Sequence, residues 1–353
     1  MAPTTLLNPK VMREFPKIEL HRHLEGTFSL NTLYSIASKN SIEIPHDFEE
    51  FKKAVQFPKK GKPDFLLFLS KFRNDWYRSY EDVYAITHDS VLEFADDGIF
   101  HMELRFSPEH FSLQNDFDRV EITDLVVKAA TDAAKKIGIS QTFLLTFNRS
   151  KQDQHEMIDL YKKLMKLNLD SIVGIDLAGD ELNFPPELFV DFFKAVNADG
   201  RSCTIHAGEV TPSNQIWTAI KQLGAKRIGH GTSAIHDPEL QKFLIDKQIV
   251  LEQCITSNYQ TGSWEDEKNH PLGRLFKAGV PVTINSDDPF IQDTLLSDDY
   301  VKTVEYFDFT LEDLIKANKI ALDGCFLTQP QKNDLWKNYI AKVESFKKQH
   351  GLV

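Results

Sequence analysis

Glu19-Leu20-His21-Arg22-His23-Leu24-Glu25-Gly26 follows directly on a short apolar run, 15–20, that reads as a β-strand. Successive strand side chains alternate between faces, so residues two apart share one face. His21 and His23 therefore reach towards one point at the end of that strand, where a metal ion can sit. Taken alone, a His-x-His pair is also compatible with two surface histidines near a turn. The rest of the chain separates these readings, because further histidines and acids fall at the ends of later strand-like runs.

Those runs follow at 100–106, 142–147, 172–177, 202–206, 227–230, 249–254 and 280–285. Helical patterns separate them at 122–136, 155–166, 186–197, 213–223, 238–246 and 271–278. Short apolar strands alternating with helices make parallel βαβ units. Eight such units predict an α/β fold of the closed (β/α)8 TIM-barrel type. A doubly wound open sheet is the alternative, but no G-x-G-x-x-G follows the first strand. Between the first and second strands the sequence predicts helices at 31–39, 47–56, 64–77 and 81–97, the last stopped by Gly98. We read this insertion as a helical lid over the barrel mouth. Its third helix carries Phe65, Leu66, Leu67, Phe68, Leu69 and Phe72, a pattern too apolar for free exposure. Two C-terminal helices, at 311–322 and 329–348, are expected outside the barrel. Without repeat, low-complexity segment or linker, residues 1–353 read as a single domain.

The chain has 353 residues, 41% of them apolar and 26% charged. Its formal net charge of −11 argues against nucleic acid as the partner. The short basic stretch Lys59-Lys60-Gly61-Lys62 reads as a solvated loop. Cys203, Cys254 and Cys325 form no C-x-x-C pair and no even-numbered disulfide framework. Reduced thiols and the absence of a signal-like start or a long apolar span predict a cytoplasmic protein that does not enter membranes.

On the barrel frame the polar motifs collect at one face. His21 and His23 end the first strand, and Gly179-Asp180-Glu181 follows the fourth. His206-Ala-Gly-Glu209 ends the fifth, His230-Gly the sixth, and Ser286-Asp-Asp-Pro289 the eighth. Active sites of this architecture sit at that face. His21, His23 and His206 with Asp287 make a donor set suited to zinc, and His230 adds a fourth imidazole at the rim. Glu209 should flank the same pocket, and partial burial would raise its pKa enough for it to serve as an acid. Phe65 and Phe68, with Phe72, are expected to wall the pocket mouth, although core packing of that helix is an equal alternative.

His21-Arg-His23-Leu-Glu-Gly, Met102-Glu-Leu-Arg-Phe-Ser-Pro108, Gly174-Ile-Asp-Leu-Ala-Gly-Asp-Glu181, His206-Ala-Gly-Glu209, Arg227-Ile-Gly-His-Gly231 and Ser286-Asp-Asp-Pro289 together resemble the adenosine deaminase family. The resemblance implies a zinc barrel that hydrolyses the amino group of an adenine ring to a carbonyl and releases ammonia. It implies that His21, His23, His206 and Asp287 hold one zinc per chain, and that Glu209 protonates the ring nitrogen beside the attacked carbon. His230 would be the base or electrostatic partner of the attacking water. Asp288 would bind the imidazole side of the purine, and the Gly179 backbone the other ring edge. The implied reaction is adenosine, and deoxyadenosine, to inosine and ammonia, with a free nucleoside and water as partners. Glu25 departs from the Asp found at this sugar-side position in many members. Glu occurs there in relatives acting on adenine or modified adenine nucleosides, so aminodeoxyfutalosine, adenine or an N6-methylated adenine nucleotide are alternative substrates. Ile255 also stands where Pro is often found. A barrel that only binds would be expected to lack one of the proposed groups, and none is missing. The H-x-E…P-C-x-x-C signature of the nucleic-acid deaminases is absent.

Overall fold

The computed structural model describes residues 4–58, 61–112 and 116–352; Lys59 and Lys60 of the basic stretch lie outside them. The strands are β1 (Lys17–His23), β2 (Ile99–Phe106), β3 (Ser140–Asn148), β4 (Ile172–Ala178), β5 (Ser202–Ala207), β6 (Arg227–His230), β7 (Val250–Gln253) and β8 (Val282–Ile284). They follow one another in sequence order within one sheet, and every neighbouring pair is parallel. Closure between β8 and β1 falls just past the end of the short last strand. There the Asp287 N–H donates to the His21 carbonyl, and the His23 N–H to the Asp287 carbonyl, both at 3.0 Å. The ring is thus sealed by the same backbone segments that carry the polar motifs. Strands enclosed by helices are buried on both faces, which explains their continuous apolar runs. This is the (β/α)8 architecture expected.

The opening strand starts later than expected and runs through His23, so both histidines lie inside it. Phe15 belongs instead to the end of a helix, Pro9–Glu14, that the sequence reading missed. Asn8 caps that helix by accepting from the Lys10 N–H at 3.0 Å, and Pro16 has no N–H to give a ladder.

The helix expected over 64–77 is also corrected: it covers only Phe65–Leu69. Asp64 starts it by accepting from the Leu67 N–H at 2.8 Å. The Ser70 hydroxyl ends it by donating to the Leu67 carbonyl at 2.6 Å, a local bond that competes with further helical pairing. Beyond it, Arg73 clamps Asp75 through two bonds of 2.9 and 2.8 Å and lies 4.1 Å over the Trp76 ring, fixing an irregular path. Nor is the whole apolar run protected. Phe65 and Phe68 are buried, whereas Leu66 and Leu67 are 53% and 41% exposed at the rim of the mouth. The next helix, Tyr80–Leu92, passes into a 3-10 turn and stops at Gly98, whose φ of 65° only glycine adopts freely.

At the other end of the chain, the helix Leu311–Gly324 packs outside β1 and β8. Its Asn318 Oδ1 accepts from the Ile18 N–H at 2.6 Å. Gln329–His350 follows it, and an unanticipated helix, Leu296–Phe307, precedes it. Among the described residues no helix is long and apolar enough to cross a membrane.

Candidate active site

Every site residue named from the sequence, except His21, lines one cavity of about 490 Å³ at the C-terminal mouth of the barrel. His21 lies just beneath its floor, fully buried. Its Nε2 is 3.2 Å from Asp287 Oδ1, and the His23 Nε2 is 3.5 Å from the same oxygen. The Nε2 atoms of His23 and His206 are 3.2 Å apart. Ligand atoms of His21, His206, His230 and Asp287 all lie within 4.8 Å of one another. Three imidazoles and one carboxylate therefore surround one point, and His23 stands beside them against His206 and Asp287.

Buried charges behind the strand ends fix which ring nitrogen faces that point. His21 Nδ1 donates to Glu252 Oε2 at 2.8 Å, and His206 Nδ1 to Asp176 Oδ1 at 3.0 Å. A carboxylate only accepts, so neutral His206 turns an Nε2 lone pair towards the centre, whereas at His21 Asp287 and Glu252 outweigh burial and raise the imidazole pKa. With Nδ1 committed to Glu252, the buried His21 Nε2, 3.2 Å from Asp287 Oδ1, is the nitrogen left to take a cation. Arg105 holds both carboxylates, at 2.8 Å to Glu252 and 3.3 Å to Asp176. Burial keeps His23 and His206 below the ordinary imidazole pKa, and hence neutral. Asp287 behaves oppositely. Burial opposes its charge, but His21, hydrogen-bonded to it, holds its carboxyl well below the usual range. The Ser257 hydroxyl also donates to its Oδ2 at 2.6 Å.

His230 differs from the other three. The Leu272 backbone N–H can only donate, and it does so to His270 Nδ1 at 3.2 Å. His270 Nε2 must then carry a proton, which it gives to Asn258 Oδ1 at 3.0 Å. The Asn258 amide nitrogen in turn donates to His230 Nδ1 at 3.1 Å. That order leaves the proton of neutral His230 on Nε2, facing Glu209 Oε2 at 3.6 Å and Asp287 Oδ2 at 3.9 Å. Burial keeps His230 neutral.

Glu209 leaves β5 through the Ala207-Gly208 turn and comes to face His230. Burial, with Glu181 and Asp287 adding negative charge nearby, pushes its pKa well above the carboxyl range. Burial and the adjacent Asp287 do the same to Asp288. Both His230 (φ 58°) and Asp287 (φ 66°) adopt left-handed backbone, a strain concentrated where side chains must be aimed. Gly26 allows the close approach of Asp288: a Cβ there would lie 1.7 Å from Asp288 Oδ1. Glu25 Oε1 accepts from the Ser107 N–H at 2.5 Å, and burial raises its pKa to about 8.

The aromatic expectation divides. Phe68 packs into the core, near Phe57 at 6.0 Å and Phe72 at 6.2 Å between ring centroids. Phe65 also lines the cavity but stands outside that core cluster. Sequence reasoning places Ser257-Asn258 past the seventh strand without a role, treats His270 as structural or surface, and assigns no role to Asp176, Glu252 or Arg105. The available signal was a charged residue inside an otherwise apolar strand, as in Ile175-Asp176-Leu177 and Leu251-Glu252.

The profile of the adenosine deaminase family matches residues 16–342. An adenosine deaminase of Serratia proteamaculans is 31% identical over 325 residues, covering 91% of this chain and 96% of that protein. The crystal structure of an adenine deaminase from Arthrobacter aurescens superposes with a TM-score of 0.85 at 24% identity, covering 93% of this chain and 99% of that one. An amidohydrolase from Burkholderia ambifaria, solved with bound zinc, gives 0.88 at 22% identity, covering 98% and 95% of the two chains. These two likenesses concern the fold. The match along nearly the whole length decides the family: this chain belongs to the adenosine deaminases, a family of metal-dependent hydrolytic deaminases.

Proposed function

We propose that the protein hydrolyses adenosine, and deoxyadenosine, to inosine and ammonia, with one zinc ion per chain held by His21, His23, His206 and Asp287. The observation that supports this reading is the convergence of His21, His206, His230 and Asp287 on one point, with His23 Nε2 3.2 Å from His206 and 3.5 Å from Asp287 and with Glu209 facing them inside a cavity of about 490 Å³. That volume lies in the range that encloses small ligands. His23 is preferred to His230 as the ligand because the hydrogen-bond order through Asn258 leaves His230 Nε2 protonated. When bound, the metal supplies Lewis-acid activation of a water.

The chain's own groups then divide the remaining work. Glu209, whose neutral form burial favours, donates to the purine ring nitrogen beside the attacked carbon. The His230 Nε2–H points at the incoming oxygen and stabilises its developing charge. Asp288 binds the imidazole side of the purine and helps orient the water. The Gly179 backbone, at φ 101°, contacts the other ring edge. Phe65 covers the mouth and excludes bulk water. Residues 1–353 are read as one catalytic unit. A cytoplasmic setting fits its three free, buried cysteines.

A second reading, deamination of adenine, aminodeoxyfutalosine or an N6-methylated adenine nucleotide, is favoured by one observation. Glu25 is a methylene longer than Asp, is buried, and lines the cavity beside Ser107. Ammonia release from these aminopurines, measured side by side on one preparation, tests the choice. Adenosine should give the largest kcat/KM. A larger value for adenine or a nucleotide replaces the first reading with the second.

A further inference from the structure

At the closed end of the barrel, opposite the mouth, a different set of donors meets. His101 and Glu103 lie two residues apart on β2 and so share a face. Arg105, the next residue on that face, reaches Glu252 and Asp176 inside the barrel. His101 is therefore the member furthest from the mouth. Cys325 sits at the C-cap of the helix Leu311–Gly324. One ligand atom from each of His101, Glu103 and Cys325 lies within 4.8 Å of the others, and all three residues are buried.

The bonding of this trio is incomplete. His101 Nδ1 meets the Ser140 hydroxyl at 2.9 Å. Its Nε2 is buried with no hydrogen-bond partner among the described residues, an arrangement folded proteins generally avoid. Glu103 Oε2 pairs with Arg227 Nη1 at 2.6 Å, and Oε1 accepts from the Phe326 N–H at 2.5 Å. Each carboxylate oxygen has a second lone pair. The Cys325 thiol donates to the Leu322 carbonyl at 2.9 Å, and its sulfur meets the Leu327 backbone N–H.

We propose that His101, Glu103 and Cys325 form a second metal site, structural in role, for a thiophilic divalent cation of the zinc class. Imidazole, carboxylate and thiolate are the donor types such ions take. Zinc bond lengths of about 2.0–2.3 Å place tetrahedral donors roughly 3.4–3.6 Å apart, so the trio closes by little more than about 1 Å. On binding, the Cys325 S–H bond is exchanged for a sulfur–metal bond and the proton leaves to solvent, with no change of oxidation state. Burial raises this thiol to about 12 and lowers His101 to about 4. The empty site thus holds a thiol and a neutral imidazole. A bound ion would fasten the junction between the last barrel helix and Gln329–His350 to β2.

Cadmium is the probe, because a thiolate–cadmium contact gives an ultraviolet charge-transfer band and the centre at the mouth contains no thiolate. Titration of the full chain loaded with a single zinc, its second site left free, should develop that band and saturate at one cadmium per chain. Cys325→Ser keeps a hydroxyl for the Leu322 carbonyl and should abolish the band while the fold is retained. His101→Gln should weaken cadmium binding at least about tenfold. Absence of the band in the unaltered chain overturns the proposal. So does a full band in Cys325→Ser, which would assign it to Cys203 or Cys254, or unchanged affinity in His101→Gln.

Discussion

Replacing Glu209 by glutamine separates acid catalysis from folding and from metal holding. Burial, with Glu181 and Asp287 nearby, pushes the wild-type carboxyl well above its usual range and so favours its neutral form. Glutamine has the same length and no charge, so packing beside His230, and beside Thr261, which hydrogen-bonds Glu209, should survive. What disappears is the transferable proton. Losing a general acid slows turnover by about 10²–10⁴-fold, which at 1.36 kcal/mol per decade is roughly 2.7–5.4 kcal/mol of barrier. Substrate binding should fall far less than turnover. Stability supplies an independent check. A carboxyl with a raised folded-state pKa stabilises fully below its unfolded value, and the effect is lost as pH rises through the folded value. The burial penalty on ionised Glu209 is therefore felt on the alkaline side, and Glu209→Gln removes it. Its unfolding midpoint at mildly alkaline pH should equal or exceed that of the unaltered chain. The assay is turnover, ligand affinity, zinc per chain and melting temperature for one preparation. Near-normal turnover, or loss of the mouth-site zinc, would refute the assignment of Glu209 as an acid that is not a ligand.

Asp287→Ala should behave differently, losing the zinc at the mouth and activity together, as metal analysis beside turnover would reveal. Phe65→Ala should raise KM with little change in melting temperature, whereas Phe68→Ala, in the core, should cost about 3–5 kcal/mol of stability; equal melting losses would count against this division. Gly26→Ala places a Cβ 1.7 Å from Asp288 Oδ1. It should displace Asp288 and lower kcat/KM while zinc content stays constant, so unaltered kinetics would remove Asp288 from the purine site.

The barrel and its mouth were legible because both leave a one-dimensional trace. Apolar runs such as 202–206 end abruptly in His206-Ala-Gly-Glu209, and a parallel barrel brings all such ends to one face. The boundary at β1 was obscured because Phe15 and Ile18 look alike as apolar residues. The capping of Pro9–Glu14 by Asn8 separates them. The helix at 64–77 was overextended because apolar density does not register its ending at Ser70, beyond which a salt bridge and a cation–π stack at Arg73 fix the chain. The charges behind the site were missed for a different reason. Asp176, Arg105 and Glu252 satisfy one another across three strands, and no local pattern encodes a pairing between residues so distant in sequence. The proton order through His270 and Asn258 likewise begins at a backbone N–H, which sequence cannot orient.

The central claim, one zinc at the mouth doing the chemistry of a nucleoside deaminase, is tested most directly by removing and restoring the metal. Protein stripped with a chelator should release no ammonia from adenosine. Zinc returned to the His21, His23, His206 and Asp287 centre, counted in the Cys325→Ser chain to keep the second site silent, should restore full turnover at one ion per chain, with inosine and ammonia formed in equal amounts. Undiminished turnover by the metal-free chain, or restoration in a chain that also carries Asp287→Ala, would contradict the account.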